Sequence, residues 1–114
     1  MKISFDGVGQ WGATFGCADV TEGHVVQVSA AGTVAKCQDS GAFAGVVLHA
    51  ARDKKACTVQ LGGVATVKYS GGAPAAGWTK LAADANGGVK TSDSGTAYLV
   101  LDVDEAAETV AFVL

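Results

Sequence analysis

The sequence predicts an all-β fold, a small barrel or sandwich of about eight or nine short strands preceded by an extended N-terminal arm. Two observations support this prediction. Apolar and β-branched runs of strand length recur along the chain, and glycine-containing turns separate them. In addition, one pattern of strands and turns occurs twice, which indicates an internal duplication.

The duplication is visible when the chain is compared with itself. Residues 45–61 match residues 98–114 at a shift of 53 positions, and the match continues upstream at a shift of 54. We interpret residues 23–61 and 77–114 as two copies of one unit, each with four strands and a charged turn before the last. Two copies are too few for a solenoid, so we expect two pseudo-equivalent halves that close one barrel.

The best-defined element is a β-hairpin in the first copy. Its strands are predicted at 46–50 and 56–61, on either side of the charged turn 52–55. Further strands are predicted at 24–28, 33–37, 64–69, 98–103 and 109–114.

The segment after Pro74 is ambiguous when it is taken alone. Trp78, Leu81 and Ala82 follow helical spacing, and a proline stands near the start of the segment. The duplication places 78–81 on a strand of the first copy, so we predict a strand there as well.

Residues 1–20 differ from the single domain predicted for residues 21–114. Glycines alternate with Trp11 and Phe15, and Ile3 and Phe5 precede them. Because glycine at this density disfavours both helices and strands, we predict an extended arm that docks on a partner, and we expect a chain without residues 1–16 to fold. The alternative is an arm that packs over its own barrel.

Composition restricts the possible partners. A chain of 114 residues is one domain, and only 17% of its residues are charged, against an average of about 25%. We therefore expect part of the surface to be covered by other protein. The net charge of −3 offers no basic surface for direct nucleic-acid binding, no run approaches the ~18 apolar residues of a membrane helix, and the first residues do not resemble a signal peptide.

The residues that could perform chemistry are scattered, and we predict no enzyme activity, cofactor or metal site. Cys17, Cys37 and Cys57 have neither metal-ligand nor disulfide-framework spacing, and we interpret them as buried, reduced thiols. His24 and His49 stand in no catalytic or metal-ligand motif. The acidic residues concentrate at turns, where we expect them to be solvated.

A lipoyl-type carrier domain is a further alternative. The tip Asp53-Lys54-Lys55-Ala56 resembles the Asp-Lys-Ala tip on which lipoyl domains carry their cofactor, with Lys54 as the modified residue. Ala51 and Arg52 replace the acidic residues that usually precede this lysine. A solvated basic turn is the preferred interpretation.

Three segments resemble the small capsid decoration, or cement, proteins of tailed bacteriophages and prophages. They are 43–51, 57–67 and 75–78, which match that family's G-V-x-L-x-A-A run, its V-x-L-x-G-V-x-x-V run after a charged turn, and its A-G-D corner. Trp78 stands where that family more often has an acidic or polar residue.

This resemblance implies a non-enzymatic virion protein, made in the host cytoplasm, that binds the outer capsid surface and stabilises the shell. It implies the major capsid protein as partner and a homo-oligomer, commonly a trimer at three-fold positions. Carried onto this chain, it assigns capsid contact to Ile3, Phe5, Trp11 and Phe15. The alternative is a carbohydrate- or surface-binding β-module of a phage or bacterial accessory protein, which requires exposed aromatics on one rigid face.

Overall fold

The computed structural model describes residues 11–17, 20–52 and 55–114, and these residues form ten strands and no helix. The strands are β1 (Trp11–Cys17), β2 (Val25–Ala30), β3 (Thr33–Lys36), β4 (Gly45–Ala50), β5 (Ala56–Gly62), β6 (Val64–Lys68), β7 (Gly77–Ala83), β8 (Val89–Thr91), β9 (Thr96–Asp104) and β10 (Thr109–Val113). The predicted all-β class is confirmed.

The first five strands close a barrel in the order β1-β3-β2-β4-β5. Strand β1 closes it, because it pairs antiparallel with β5 over most of its length and parallel with β3 at Gly16 and Cys17. The interior holds a core of buried small apolar side chains. The residues of this first core are Cys17, Val20, Val26, Val34, Val47, Cys57 and Val59.

The last five strands form a second sheet in the order β6-β10-β9-β7-β8. Its two edges approach each other at a parallel bridge between Tyr69 and Val89, and the Val89 carbonyl accepts a hydrogen bond from the Ser70 amide at 3.0 Å. When this bridge is included, the second half has the cyclic strand order β6-β8-β7-β9-β10. This is the same order as β1-β3-β2-β4-β5 in the barrel.

A local irregularity supports the same equivalence. The β4–β5 ladder is interrupted by a bulge at Leu48, and the β9–β10 ladder is interrupted at Leu101. These positions lie 53 residues apart, which is the shift that aligned the two copies in the sequence. The duplication therefore includes the bulge, where one extra residue bends the strand.

We expected the two halves to close one barrel together, and this prediction is wrong. Each half forms its own sheet. The repeat units 23–61 and 77–114 contain four strands each, and a four-stranded unit leaves edges that need a partner. Strands β1 and β6 lie upstream of the two units and supply the fifth strand within each half. The sequence comparison left both strands outside the repeat units, because the match between the two copies begins after them.

The predicted arm also requires a correction, because residues 11–17 are strand β1 of the barrel. Glycine does not interrupt this strand; it permits a close approach to β5. A Cβ atom on Gly12 would stand 2.5 Å from the Val59 carbonyl oxygen. Residues 1–10 lie outside the described residues.

A second core joins the two halves. Phe43, from the loop before β4, stacks on Tyr98 at 5.1 Å between ring centroids and meets the edge of Phe112 at 5.8 Å. Val25 and Val46 point out of the first barrel into the same cluster. The second half therefore packs on the outer face of the first.

The segment 78–81 lies in strand β7, as the duplication predicted. The predicted strand at 64–69 is β6, whose side chains alternate, with Ala65 and Val67 buried and Thr66 exposed.

Candidate interaction surface

The outer face of the second sheet carries a row of large apolar side chains. Trp78 on β7 pairs with Leu99 on β9, Leu99 pairs with Val113 on β10, and Val113 pairs with Val64 on β6. Side chains at paired positions of neighbouring strands lie on the same face of a sheet. We call Trp78, Leu99, Val113 and Val64 the outer row.

The outer row is incompletely covered. Trp78 is 75% exposed, although a side chain of this size contributes strongly to binding when it is buried. Beside it lies a shallow groove of about 250 Å³. The groove is lined by Trp78, Ala97, Tyr98, Leu99, Val113 and Leu114.

The groove has little capacity for polar recognition. The polar side-chain groups among the lining residues are the Tyr98 hydroxyl and the Trp78 indole N–H, and the Tyr98 ring is stacked on Phe43. Burial raises the pKa of the Tyr98 hydroxyl, with a smaller contribution from Cys37, so this group is neutral at physiological pH. The site therefore offers apolar contact area and no charged side chain.

A second exposed aromatic residue stands at the start of β1. Trp11 is 60% exposed, and its indole lies directly against Gly62, where a Cβ atom would collide with the ring. Phe15, four residues further along, is half-buried against the first core. Of the four predicted contact residues, Trp11 is thus accessible, Phe15 contributes to the core, and Ile3 and Phe5 lie outside the described residues.

Sequence reasoning did not identify Leu99 and Val113 as part of a surface. The available signal was the alternation within β9 and β10, in which they follow Tyr98 and Phe112 and so point to the opposite face. For Trp78, the only signal in the sequence is its departure from the resembled family, which more often has an acidic or polar residue at this position.

All three cysteines are buried, as predicted, and none forms a disulfide. Burial raises the pKa of the Cys37 thiol to about 11. Burial also raises the pKa of Cys57 to about 11, with a smaller contribution from its hydrogen bond with Cys17. Protonated thiols are poor nucleophiles and poor metal ligands, so these residues act as apolar core groups.

These shifts predict an alkaline loss of stability. The unfolded chain releases thiol protons near pH 9.0, whereas the folded chain retains them at Cys37 and Cys57 up to about pH 11. The free energy of unfolding should therefore be independent of these groups below pH 9 and fall as the pH rises through this interval. Urea unfolding under reducing conditions at a series of pH values measures it. A Cys37→Ala variant should show a shallower fall, and an equally steep fall would contradict the assignment.

Several of the remaining polar side chains have identifiable neighbours. His49 Nδ1 lies 3.2 Å from the Glu22 carboxylate on the surface, and His24 lies against Gly87. The Asp104 carboxylate accepts two backbone N–H bonds in the turn before β10. Within the described ranges, no three His, Cys, Asp or Glu side chains come together as metal ligands. Lys54, the candidate carrier lysine, lies outside those ranges.

Comparisons with protein-family models, with curated proteins and with solved structures find no match to this chain. Across the part of the chain that the structure describes, no helix has the length and apolar character needed to cross a membrane.

Proposed function

We propose that this chain is a non-enzymatic decoration protein of a tailed-phage or prophage head. It is made in the host cytoplasm and is located in the virion, where it binds the major capsid protein on the outer surface of the shell. There it stabilises the shell by holding neighbouring capsomers together. The protein acts as a homo-oligomer, with the trimer as the form that suits three-fold positions. It needs no cofactor.

The observation that carries this proposal is the placement of exposed aromatic side chains on rigid strands. Trp11 and Trp78 are both more than half exposed, yet each is fixed to a hydrogen-bonded strand of a closed or nearly closed sheet. Buried tryptophans are among the residues that contribute most to protein interfaces. A preorganised scaffold presents them without a large ordering cost.

Trp11 marks the side of the molecule that we assign to the capsid. The ten residues before it carry Ile3 and Phe5, so the apolar character of the exposed indole continues along the chain. In this proposal Ile3, Phe5 and Trp11 contact the shell. Phe15 is omitted, because its side chain already packs against the first core.

Repetition on a lattice compensates for a modest contact. An arm of a few apolar side chains gives weak binding by itself, but several arms on one oligomer raise the effective affinity by multivalency. The net charge of −3 does not oppose this arrangement, because the packaged genome lies on the inner side of the shell.

A carbohydrate-binding module is less well supported by the same surface. Trp78 could stack on a sugar ring, but the groove beside it has one hydroxyl and no charged or amide side chain to bind sugar hydroxyls. Polar groups at fixed positions normally give such sites their specificity.

Co-sedimentation with expanded, undecorated shells from the phage or prophage that encodes this chain tests the proposal. The full chain should bind saturably, at a stoichiometry that matches the three-fold positions. A variant lacking residues 2–10 should remain folded and lose binding, and Trp11→Ala should weaken it. Thr91→Ala, an exposed change on β8, is the matched control. Absence of binding by the full chain would refute the proposal, and binding by the shortened chain would refute the arm contact.

A further inference from the structure

The groove beside the outer row lies close to the point at which the described chain begins. Trp11 is the first residue of β1, and its indole lies against Gly62 at the end of β5. The carbonyl of the next residue, Gly63, accepts a hydrogen bond from the Leu114 amide at 2.9 Å. Leu114 in turn lines the groove. The segment 1–10 therefore joins the described chain near the β10 side of this groove.

This segment is long enough to reach across the groove. The backbones of Trp11 and Leu114 are at most about 15 Å apart, because two strand pairings and one peptide step separate them. Trp78 on β7 lies two strand spacings beyond β10, which adds about 10 Å. Ten residues in an extended conformation span about 33 Å. Residues 1–10 can therefore cover the groove of their own chain.

The segment and the groove also match in chemistry. Ile3 and Phe5 are two positions apart, so both side chains point to the same side of an extended segment and Ser4 points to the other. The groove presents apolar side chains and no charged one. Trp78 remains 75% exposed when residues 11–17, 20–52 and 55–114 are in place. Apolar side chains on one side of the segment could remove this surface from water.

We propose that residues 1–10 dock in the groove of their own chain when the protein is free in solution. In this docked arm, Ile3 and Phe5 contact the outer row at Trp78. The tether favours this occupant over a second copy of the chain. A short linker holds the arm at an effective concentration of the order of millimolar, whereas a second copy competes only at its actual concentration.

The docked arm has a consequence that rests on the proposed function. Ile3 and Phe5 cannot contact the groove and the shell at the same time. Shell binding therefore requires release of the arm, and the apparent affinity for shells falls by the fraction of arms that are free. The groove in this way acts as a competitor for the arm within the same molecule.

Acrylamide quenching of tryptophan fluorescence tests the docked arm without shells, so docking and shell binding can fail separately. The Trp11→Phe variant leaves Trp78 as the only tryptophan of the full-length chain. Acrylamide should quench Trp78 in this chain about two-fold or more slowly than after the further changes Ile3→Asp and Phe5→Asp, because a docked arm shields the indole for most of the time. Ser4→Asp adds the same charge on the opposite side of the arm, and it should leave the slow quenching unchanged.

The outcomes separate the possible occupants of the groove. Docking within one chain predicts a quenching rate that does not depend on protein concentration. Circular dichroism verifies that each variant is folded. Equal quenching of Trp78 with and without the two aspartates would overturn the inference. Shielding that appears only as the protein concentration rises would also overturn it, because the occupant would then be a second copy.

The Ser4→Asp control gives an independent check on the side of the arm that docks. If this variant were quenched as fast as the chain with Ile3→Asp and Phe5→Asp, any added charge would have the same effect. The specific contact of Ile3 and Phe5 with the outer row would then be refuted.

Discussion

Replacing Phe43 with alanine should lower the free energy of unfolding by about 3–5 kcal/mol, the usual cost of removing a buried aromatic side chain. Phe43 is 7% exposed and is the aromatic residue that the first half contributes to the shared core. Its loss removes the stacked contact with Tyr98 and the edge contact with Phe112. For a domain whose total stability is about 5–15 kcal/mol, this is a large fraction.

Urea denaturation followed by circular dichroism measures this loss. Phe43→Leu is the matched comparison, because it retains most of the apolar volume and removes only the ring contacts, and it should cost markedly less than the alanine variant. Ala42→Gly changes the exposed residue before it and controls for the loop backbone. A loss below about 1 kcal/mol for Phe43→Ala, within the range of ordinary surface changes, would contradict the shared core.

Deletion of residues 2–17 should prevent the first half from folding. Strand β1 pairs with β5 at six positions and also bridges to β3, so its removal opens the barrel and leaves two unpaired strand edges. It also removes Cys17 and Phe15 from the first core. We expect a soluble yield and a thermal transition far below those of the full chain, because exposed edges promote aggregation.

Deletion of residues 2–10 is the matched comparison. It leaves all ten described strands and both cores intact, so we expect the thermal midpoint to stay close to that of the full chain. Thermal unfolding by circular dichroism compares the two deletions directly. If the chain without residues 2–17 were to melt like the full chain, β1 would not be an integral strand. The sequence alone led us to expect that a chain without residues 1–16 would fold. Because β1 begins at Trp11, we now expect this only for a chain that lacks residues before Trp11.

Much of the fold could be predicted because the duplication resolved local ambiguity. Helical spacing around Trp78 and Leu81 competed with strand propensity, and only the match to the first copy indicated a strand. Strand β1 was missed for a physical reason. The glycines around Gly12 were expected to interrupt a strand. In the structure, Gly12 lies within β1, and the backbone of β5 occupies the space that a Cβ atom at this position would need.

The interaction surface was harder to predict, because hydrophobicity does not indicate burial at Gln60 and Val113. These two residues lie 53 positions apart, at equivalent places in the two copies. Gln60 is polar but buried, since its amide binds the Gly62 and Val64 carbonyls where the halves meet. Val113, its counterpart, is apolar but only half-buried at the surface. Alternation along a strand identifies the outer face, but whether that face is covered depends on how the halves pack, and this is not a local property of the sequence.

The most direct test of the central claim is a cryo-electron microscopy reconstruction of expanded, undecorated shells incubated with an excess of the full chain. The account predicts added density on the outer surface at three-fold positions, with a volume that fits three copies of this two-sheet chain and a connection to the shell beside Trp11. Shells that remain bare under saturating protein would contradict it.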